Sequence, residues 1–358
     1  MRDLLDEYER LAAGGDQVGR AVVASVWGSA PRPEGSSLLA TADGRFAGSI
    51  SGGCVETSAV QEVGAVLMVG TPRLVTYGVT NERAWEVGLA CGGTIRVFVE
   101  PMVSGLALRA ARAPEGSVVA TVIGTGPEGT GGAEHLIGRS VMVLEDGTCE
   151  GREEDRWLGI SSRQEAMDAL ARERSAAVIL ATPAGVPVEV LLEVYPRLPK
   201  LLIFGATLVA QAMVPMAKAL GYFTCVADGR EAFLVPERFP QADRLLTAWP
   251  AEAFREVGLD RGTCVCVLSH DPKFDEPALD IALRSSARYV GAIGSRQTQA
   301  ARRDRLRHAG FTEEEIGRLR GPIGLDLGGR SAAETALAIL AEMTMTRYGA
   351  AGVRRGSS

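Results

Sequence analysis

Hydrophobic and polar positions change rhythm part-way along this chain of 358 residues. Near the start, Asp3 to Ala13 spaces its apolar residues as an amphipathic helix does. Short runs rich in β-branched residues then predict strands at Arg20–Val26, Ser36–Thr41, Arg45–Ile50, Arg73–Gly78 and Thr94–Glu100. The second and third of these form a hairpin turning at Asp43-Gly44, and Val55 to Val69 reads as a helix. Strands follow at Ala177–Thr182 and Val188–Tyr195. From Leu201 the pattern becomes a regular alternation. Strands are expected at Leu201–Phe204, Phe223–Asp228, Arg244–Thr247, Cys264–Ser269 and Tyr289–Ile293. Helices are expected at Leu208–Leu220, Glu276–Ser286, Gln297–Ala309 and Ser331–Tyr348. Such alternation predicts a doubly wound parallel sheet.

The fold class is therefore α/β: an N-terminal α+β domain over residues 1–195 and a Rossmann-like domain over 201–348. Pro196-Arg197-Leu198-Pro199-Lys200 reads as a linker, since paired prolines resist regular structure. Residues 349–358 read as a flexible tail. The first domain also carries a weak internal repeat. Ala21 to Val26 resembles Val118 to Val122, and each run precedes a Pro-Glu-Gly turn and then a strand ending in Asp-Gly. This suggests a duplicated β unit, of which only the first copy has a Gly-Gly-Cys element.

Hydrophobic residues make up 46% of the chain, enough for a sizeable core without disulfides. The net charge of −6 argues against nucleic-acid or membrane-surface partners. Met1 to Arg10 is charged, unlike a signal peptide, and no apolar run approaches the ~20 residues that span a bilayer. The six cysteines are scattered without a CxxC pair, so free thiols in a reducing cytoplasm are expected.

The candidate chemistry of the first domain centres on Gly48-Ser49-Ile50-Ser51-Gly52-Gly53-Cys54-Val55-Glu56. Gly52 and Gly53 permit a tight turn that leaves amide N–H groups open to an anion. Cys54, at or near a helix N-terminus, is expected to have its thiolate favoured by the macrodipole. The combination suits an anionic ligand or a soft metal. Cys91-Gly92-Gly93 repeats the association of cysteine with paired glycines, and Cys91 either shares the Cys54 site or stands alone. Cys225, Cys264 and Cys266 lie in apolar strands and read as core.

In the second domain, Gly205-Ala206-Thr207-Leu208-Val209-Ala210 follows the dinucleotide fingerprint, except that Thr207 replaces the second glycine. Asp228 closes the next strand, where an acid can bind a ribose hydroxyl. The turn reads either as a nucleotide site, for which NAD(P) is doubtful because of Thr207, or as a Rossmann-like turn without one. Two more segments lie at expected C-terminal strand ends. Ser269-His270-Asp271 offers His270 as acid, base or ligand. Gly294, Ser295 and Arg296 offer backbone N–H groups, a hydroxyl and a guanidinium to a phosphate.

Taken in order, these segments resemble the XdhC/CoxI family of accessory proteins for molybdenum hydroxylases. The match runs through Gly28-Ser29-Ala30-Pro31-Arg32-Pro33-Glu34-Gly35-Ser36, the Gly48–Glu56 stretch and Cys91-Gly92-Gly93 to Val99-Glu100-Pro101. It resumes at Ser269-His270-Asp271, Tyr289–Arg296, Pro322-Ile323-Gly324-Leu325-Asp326 and Ala333–Glu342. The resemblance implies an accessory factor that binds molybdenum cofactor, supports its sulfuration with a cysteine desulfurase and passes it to a hydroxylase apoenzyme such as xanthine dehydrogenase. It implies a cofactor-binding set of Gly52, Gly53, Cys54, Glu56, Cys91, Gly205, Asp228, Gly294, Ser295 and Arg296. Cys54 and His270 are its candidate catalytic residues, and Cys54 its candidate molybdenum contact. A homodimer and convergence of Cys54, Cys91 and the Ser295–Arg296 loop are further expectations. Two departures stand out: Leu208 replaces a histidine of the family, and Pro272 replaces a second histidine after His270-Asp271.

Overall fold

The computed structural model describes residues 1–28, 32–78, 93–126 and 132–350. Its internal contacts divide the chain into two units, Met1–Pro196 and Arg197–Ser358.

The first unit opens with helix α1 (Leu5–Ala12) and contains two five-stranded antiparallel sheets. The first sheet holds β1 (Val18–Trp27), β2 (Ser37–Thr41), β3 (Phe46–Gly48), β4 (Arg73–Tyr77) and β5 (Thr94–Glu100), with helix α2 (Glu56–Val69) between β3 and β4. Helix α3 (Gly105–Arg112) leads to the second sheet. That sheet holds β6 (Ser117–Thr125), β7 (Ser140–Leu144), β8 (Cys149–Gly151), β9 (Ala176–Ala181) and β10 (Pro187–Tyr195), with helix α4 (Arg156–Arg172) between β8 and β9. The spatial orders are β3-β2-β1-β5-β4 and β8-β7-β6-β10-β9. These are the same topology twice, so the sequence repeat corresponds to a duplicated β-β-β-α-β-β unit.

Alternation along the strands explains the layers. On β1, Ala21 and Val23 pack with Ala59, Val63 and Val66 of α2. Val22 and Ala24 point the other way and meet Phe98, Ile123 and Leu191. On β10, Val188, Val190 and Leu192 pack with Leu158 and Ala166 of α4. Each sheet therefore has a helix on one face and its duplicate on the other. The strands are antiparallel yet read as continuous apolar runs because both faces are covered.

An ion cluster lies within this inter-sheet layer. Arg20, 2% exposed, donates Nε to Glu100 (2.6 Å) and both Nη atoms to Glu193 (2.8 and 2.9 Å). The Tyr195 hydroxyl donates to Glu193 at 2.6 Å. Burial alone would lower the Arg20 pKa, but the two carboxylates outweigh it and hold the pKa well above the usual value.

The second unit is a six-stranded parallel sheet. Its strands are β11 (Lys200–Phe204), β12 (Phe223–Ala227), β13 (Arg244–Leu246), β14 (Thr263–Val267), β15 (Tyr289–Ala292) and β16 (Leu319–Arg320), in the order β13-β12-β11-β14-β15-β16. That is the Rossmann order. The first strand begins at Lys200, within the stretch expected to be linker. Helices α5 (Leu208–Ala219) and α10 (Ala332–Tyr348) cover one face; α6 (Pro250–Val257), α7 (Pro272–Arg284), α8 (Arg296–His308) and α9 (Glu313–Gly317) contribute to the other. Leu201, Ile203, Cys264 and Cys266 face α5 and α10, while Leu202, Phe204, Val265 and Val267 face away from them. The three strand cysteines are core residues, as expected. Burial pushes the Cys225 thiol up to about 12 and the Cys266 thiol well above its usual value, so neither is a ready nucleophile.

Candidate functional site

The Gly-Gly-Cys loop joins β3 to α2 and folds around one carboxylate. Glu56, the first residue of α2, accepts hydrogen bonds from Ser49 Oγ (2.6 Å), Ser51 Oγ (2.5 Å) and the amides of Ile50, Ser51 and Gly53 (3.1, 2.9 and 2.8 Å). Ser51 Oγ in turn accepts from the amides of Cys54 and Val55, and Ser49 Oγ accepts from Gly52 N. Burial by itself would raise the Glu56 pKa. The Ser49 and Ser51 hydroxyls and the backbone N–H groups more than offset that and bring it down to about 2.

This corrects one sequence expectation. Every amide from Ile50 to Val55 has an acceptor inside the protein, so the turn is not an open anion receptor. Its anion is Glu56, which braces the loop. Positive φ at Gly48 (85°), Gly52 (77°) and Gly53 (116°) makes this path accessible to glycine. A Cβ on Gly48 would also lie 2.4 Å from Ser37 O. What the brace presents is Cys54, a free and exposed thiol two residues before α2. Cys91 lies outside the described residues.

In the second unit, the first strand-turn-helix uses its polar groups internally. Gly205 has φ +106°, and a Cβ there would lie 2.7 Å from Ser269 N. Its glycine thus serves close packing of the turn against the end of β14. Thr207 Oγ1 caps α5 by accepting from Ala210 N (3.3 Å). Asp228, buried at the end of β12, accepts from Ala206 N (2.9 Å), Arg230 N (3.0 Å) and both Nε and Nη2 of Arg230 (2.9 and 2.8 Å). Both of its oxygens are engaged. Beside it, Phe274 stacks on Trp249 with centroids 4.4 Å apart, and a Cβ on Gly229 would lie 2.4 Å from the Phe274 ring.

The ends of β14 and β15 border a cavity of about 430 Å³. His270, Gly294 and Ser295 all line it, together with Asp275, Arg302 and Arg305. Arg296 is exposed and is not among its lining residues. His270 holds a left-handed backbone (φ +61°), uncommon for a side-chain-bearing residue. Asp275 accepts from Ser269 Oγ (2.5 Å) and Arg302 Nη2 (3.1 Å). Burial pushes its pKa up, with Ser269 and Arg302 acting against that. Arg302 Nη1 also donates to Ile293 O and to Gln299 Oε1, and Gln299 Nε2 donates to the carbonyls of Ala292 and Ile293. Sequence reading noted Asp275 near His270 and Arg302 on the following helix without assigning either to the site, and it missed Gln299 and Arg230. The helical spacing of Ser295, Gln299 and Arg302, one and then two turns along α8, was the available signal.

Two family models match separate parts of the chain. Residues 11–78 match the XdhC and CoxI family, and residues 201–343 match the XdhC Rossmann domain. The chain belongs to the XdhC/CoxI family. Among relatives of this XdhC/CoxI chain, the molybdenum cofactor insertion chaperone PaoD of Escherichia coli K12 is 26% identical, over 89% of this chain and 80% of PaoD. A Bacillus subtilis 168 protein, named as a probable component of xanthine dehydrogenase, is 25% identical, over 91% and 92% of the two chains. A solved structure from Bacillus halodurans, described as a xanthine dehydrogenase, shares the fold with a TM-score of 0.71 at 24% identity, covering 100% of this chain and 97% of its own. The first XdhC/CoxI match contains the Cys54 loop, and the second contains the parallel sheet from Leu201 on and its cavity. No helix among the described residues is long and apolar enough to cross a membrane.

Proposed function

We propose that this chain is a maturation factor for a molybdenum hydroxylase such as xanthine dehydrogenase rather than a stand-alone enzyme. It binds molybdenum cofactor, holds it while a cysteine desulfurase provides sulfur, and passes it to the apoenzyme. The observation that carries this reading is Cys54, an exposed free thiol on a loop fixed by Glu56. A cysteine sulfur is a soft ligand suited to molybdenum or to a sulfur-bearing intermediate. The relative named as a molybdenum cofactor insertion chaperone supports the same cargo. Cys91 is proposed to assist Cys54, and a homodimer is the proposed assembly.

The alternative of an NAD(P)-dependent oxidoreductase draws no support from the Gly205 turn, where Thr207 caps the helix and Arg230 occupies Asp228. The test is reconstitution. Purified chain loaded with molybdenum cofactor is mixed with hydroxylase apoenzyme, and hydroxylase activity is followed. Wild type is expected to restore activity and Cys54→Ala to fail, with pull-down of the apoenzyme intact in both. Equal restoration by Cys54→Ala would leave only a scaffold role.

A further inference from the structure

We propose that the first unit carries a second ligand site, in a cavity at the C-terminal end of α3, for a small amine with an apolar body and a hydroxyl group. It lies on the second copy of the duplicated module and involves neither Cys54 nor its loop.

The observation that points to a ligand is Ser117, the first residue of β6. It is 1% exposed, yet its Oγ makes no hydrogen bond. A buried hydroxyl without a partner costs stability, and the large majority of buried polar side chains have one. Alternation puts Ser117 on the face of β6 that carries Val119, and its cross-strand neighbours Leu144 and Tyr195 pack on that face too. The first copy fills the matching place differently. Arg20 stands opposite Glu100, the last residue of β5, as Ser117 stands opposite Tyr195, the last residue of β10. Arg20 gives Nε and both Nη atoms to Glu100 and Glu193. Ser117 instead lines a cavity of about 340 Å³, within the usual range for a small-molecule pocket.

The rest of the lining defines the ligand. Met142, Leu144 and Ala113 supply apolar surface. Arg109 lines the cavity as well, but its guanidinium is paired with Glu150. Three carboxylates complete the wall: Glu115, Glu145 and Asp146. Gly116 N donates to Glu145 (3.2 Å), and Thr148 N and Oγ1 donate to Asp146 (2.8 and 2.7 Å), which fixes both in place. Glu115 and Asp146 are exposed, so the negative charge sits at the mouth and the Ser117 hydroxyl inside. The carboxylates select a cation, the apolar side chains a hydrocarbon body, and Ser117 a group that can exchange a hydrogen bond with it.

The test is a ligand-observed NMR titration of the full chain at low salt with three probes: tyramine, 2-phenylethylamine and 3-(4-hydroxyphenyl)propionate. Tyramine carries all three features, the second probe lacks the hydroxyl, and the third replaces the ammonium by a carboxylate. Wild type is expected to bind tyramine saturably in the millimolar range. 2-Phenylethylamine should bind about fivefold more weakly, the worth of one hydrogen bond. The propionate should not saturate. Ser117→Ala should bring tyramine and 2-phenylethylamine to equal affinity, and Glu115→Gln should weaken both amines about threefold. Ser117→Ala should also melt no lower than wild type, because it removes a hydroxyl without a partner. A clear fall in its melting temperature would show that Ser117 is already bonded within the protein and would overturn the proposal. So would tyramine that fails to saturate, a preference for tyramine that survives Ser117→Ala, or propionate binding as tight as that of tyramine. None of these readouts involves molybdenum cofactor or Cys54, so failure here leaves the Cys54 reading standing.

Discussion

Glu56 shows how one side chain changes the meaning of a motif. Paired glycines before a helix read as an anion receptor, and the local chain path is indeed one. The anion is internal. Tertiary contacts cannot be read from glycine spacing, yet Glu56, eight residues after Gly48, was present in the same motif. A carboxylate that accepts from amides and hydroxyls at once is hard to replace. In Glu56→Gln, one amide oxygen still accepts, but the NH2 group faces donors from Ser51 and Gly53 or from Ser49 and Ile50. We expect a loss of about 1–3 kcal/mol in denaturant unfolding of the first unit. The pH dependence has a definite sign. A carboxyl whose folded pKa is depressed stabilises fully above its ordinary value of 4.5 and loses that stabilisation as pH falls towards about 2. Amide protection at Ser51 and Gly53, measured by NMR, is therefore expected to persist at the ordinary carboxylate pKa and to collapse only near the lower value. Collapse at the ordinary value would show that the brace is absent in solution.

At the level of elements, the longer strands of both units and the principal Rossmann helices were legible because β-branched runs and helical spacing are local signals. The short strands β8 and β16 and helices α3, α4, α6 and α9 were not. The case of α4 explains why: its buried residues include Gly159, Ser162, Ala166 and Ala169, so its packing face is small rather than strongly apolar. A Cβ on Gly159 would lie 2.9 Å from Cys149 Sγ, which shows how closely α4 approaches β8. Duplication was legible as a faint repeat, and the shared strand order gives it physical content. What no local pattern shows is the charge cluster between the two sheets. Arg20 sits in a strand end, and its partners Glu100 and Glu193 lie far away in sequence. Arg20→Leu would leave both buried carboxylates without the guanidinium that donates to them. It should destabilise the first unit by ~3–5 kcal/mol, measured by chemical unfolding. A loss below about 1 kcal/mol would mean that water reaches the cluster.

At the scale of the whole molecule, the two units differ in kind. The first duplicates a β-rich module and specialises one copy to display Cys54. The second is a parallel sheet whose dinucleotide turn is closed by its own side chains and whose cavity lies farther along the strand ends. Sequence reading located Cys54, His270 and Ser295 in loops, and the structure brings the last two to one cavity. It noted Asp275 and Arg302 separately but not their pairing, which joins α7 to α8 and is not a local signal. The central claim is that this XdhC/CoxI chain carries molybdenum cofactor through Cys54. The most direct measurement is a binding titration of the purified apo-protein with molybdenum cofactor, wild type beside Cys54→Ala. The account predicts saturable micromolar binding by wild type that is lost in Cys54→Ala with folding unchanged. Equal binding by the two proteins, or none by wild type, would contradict it.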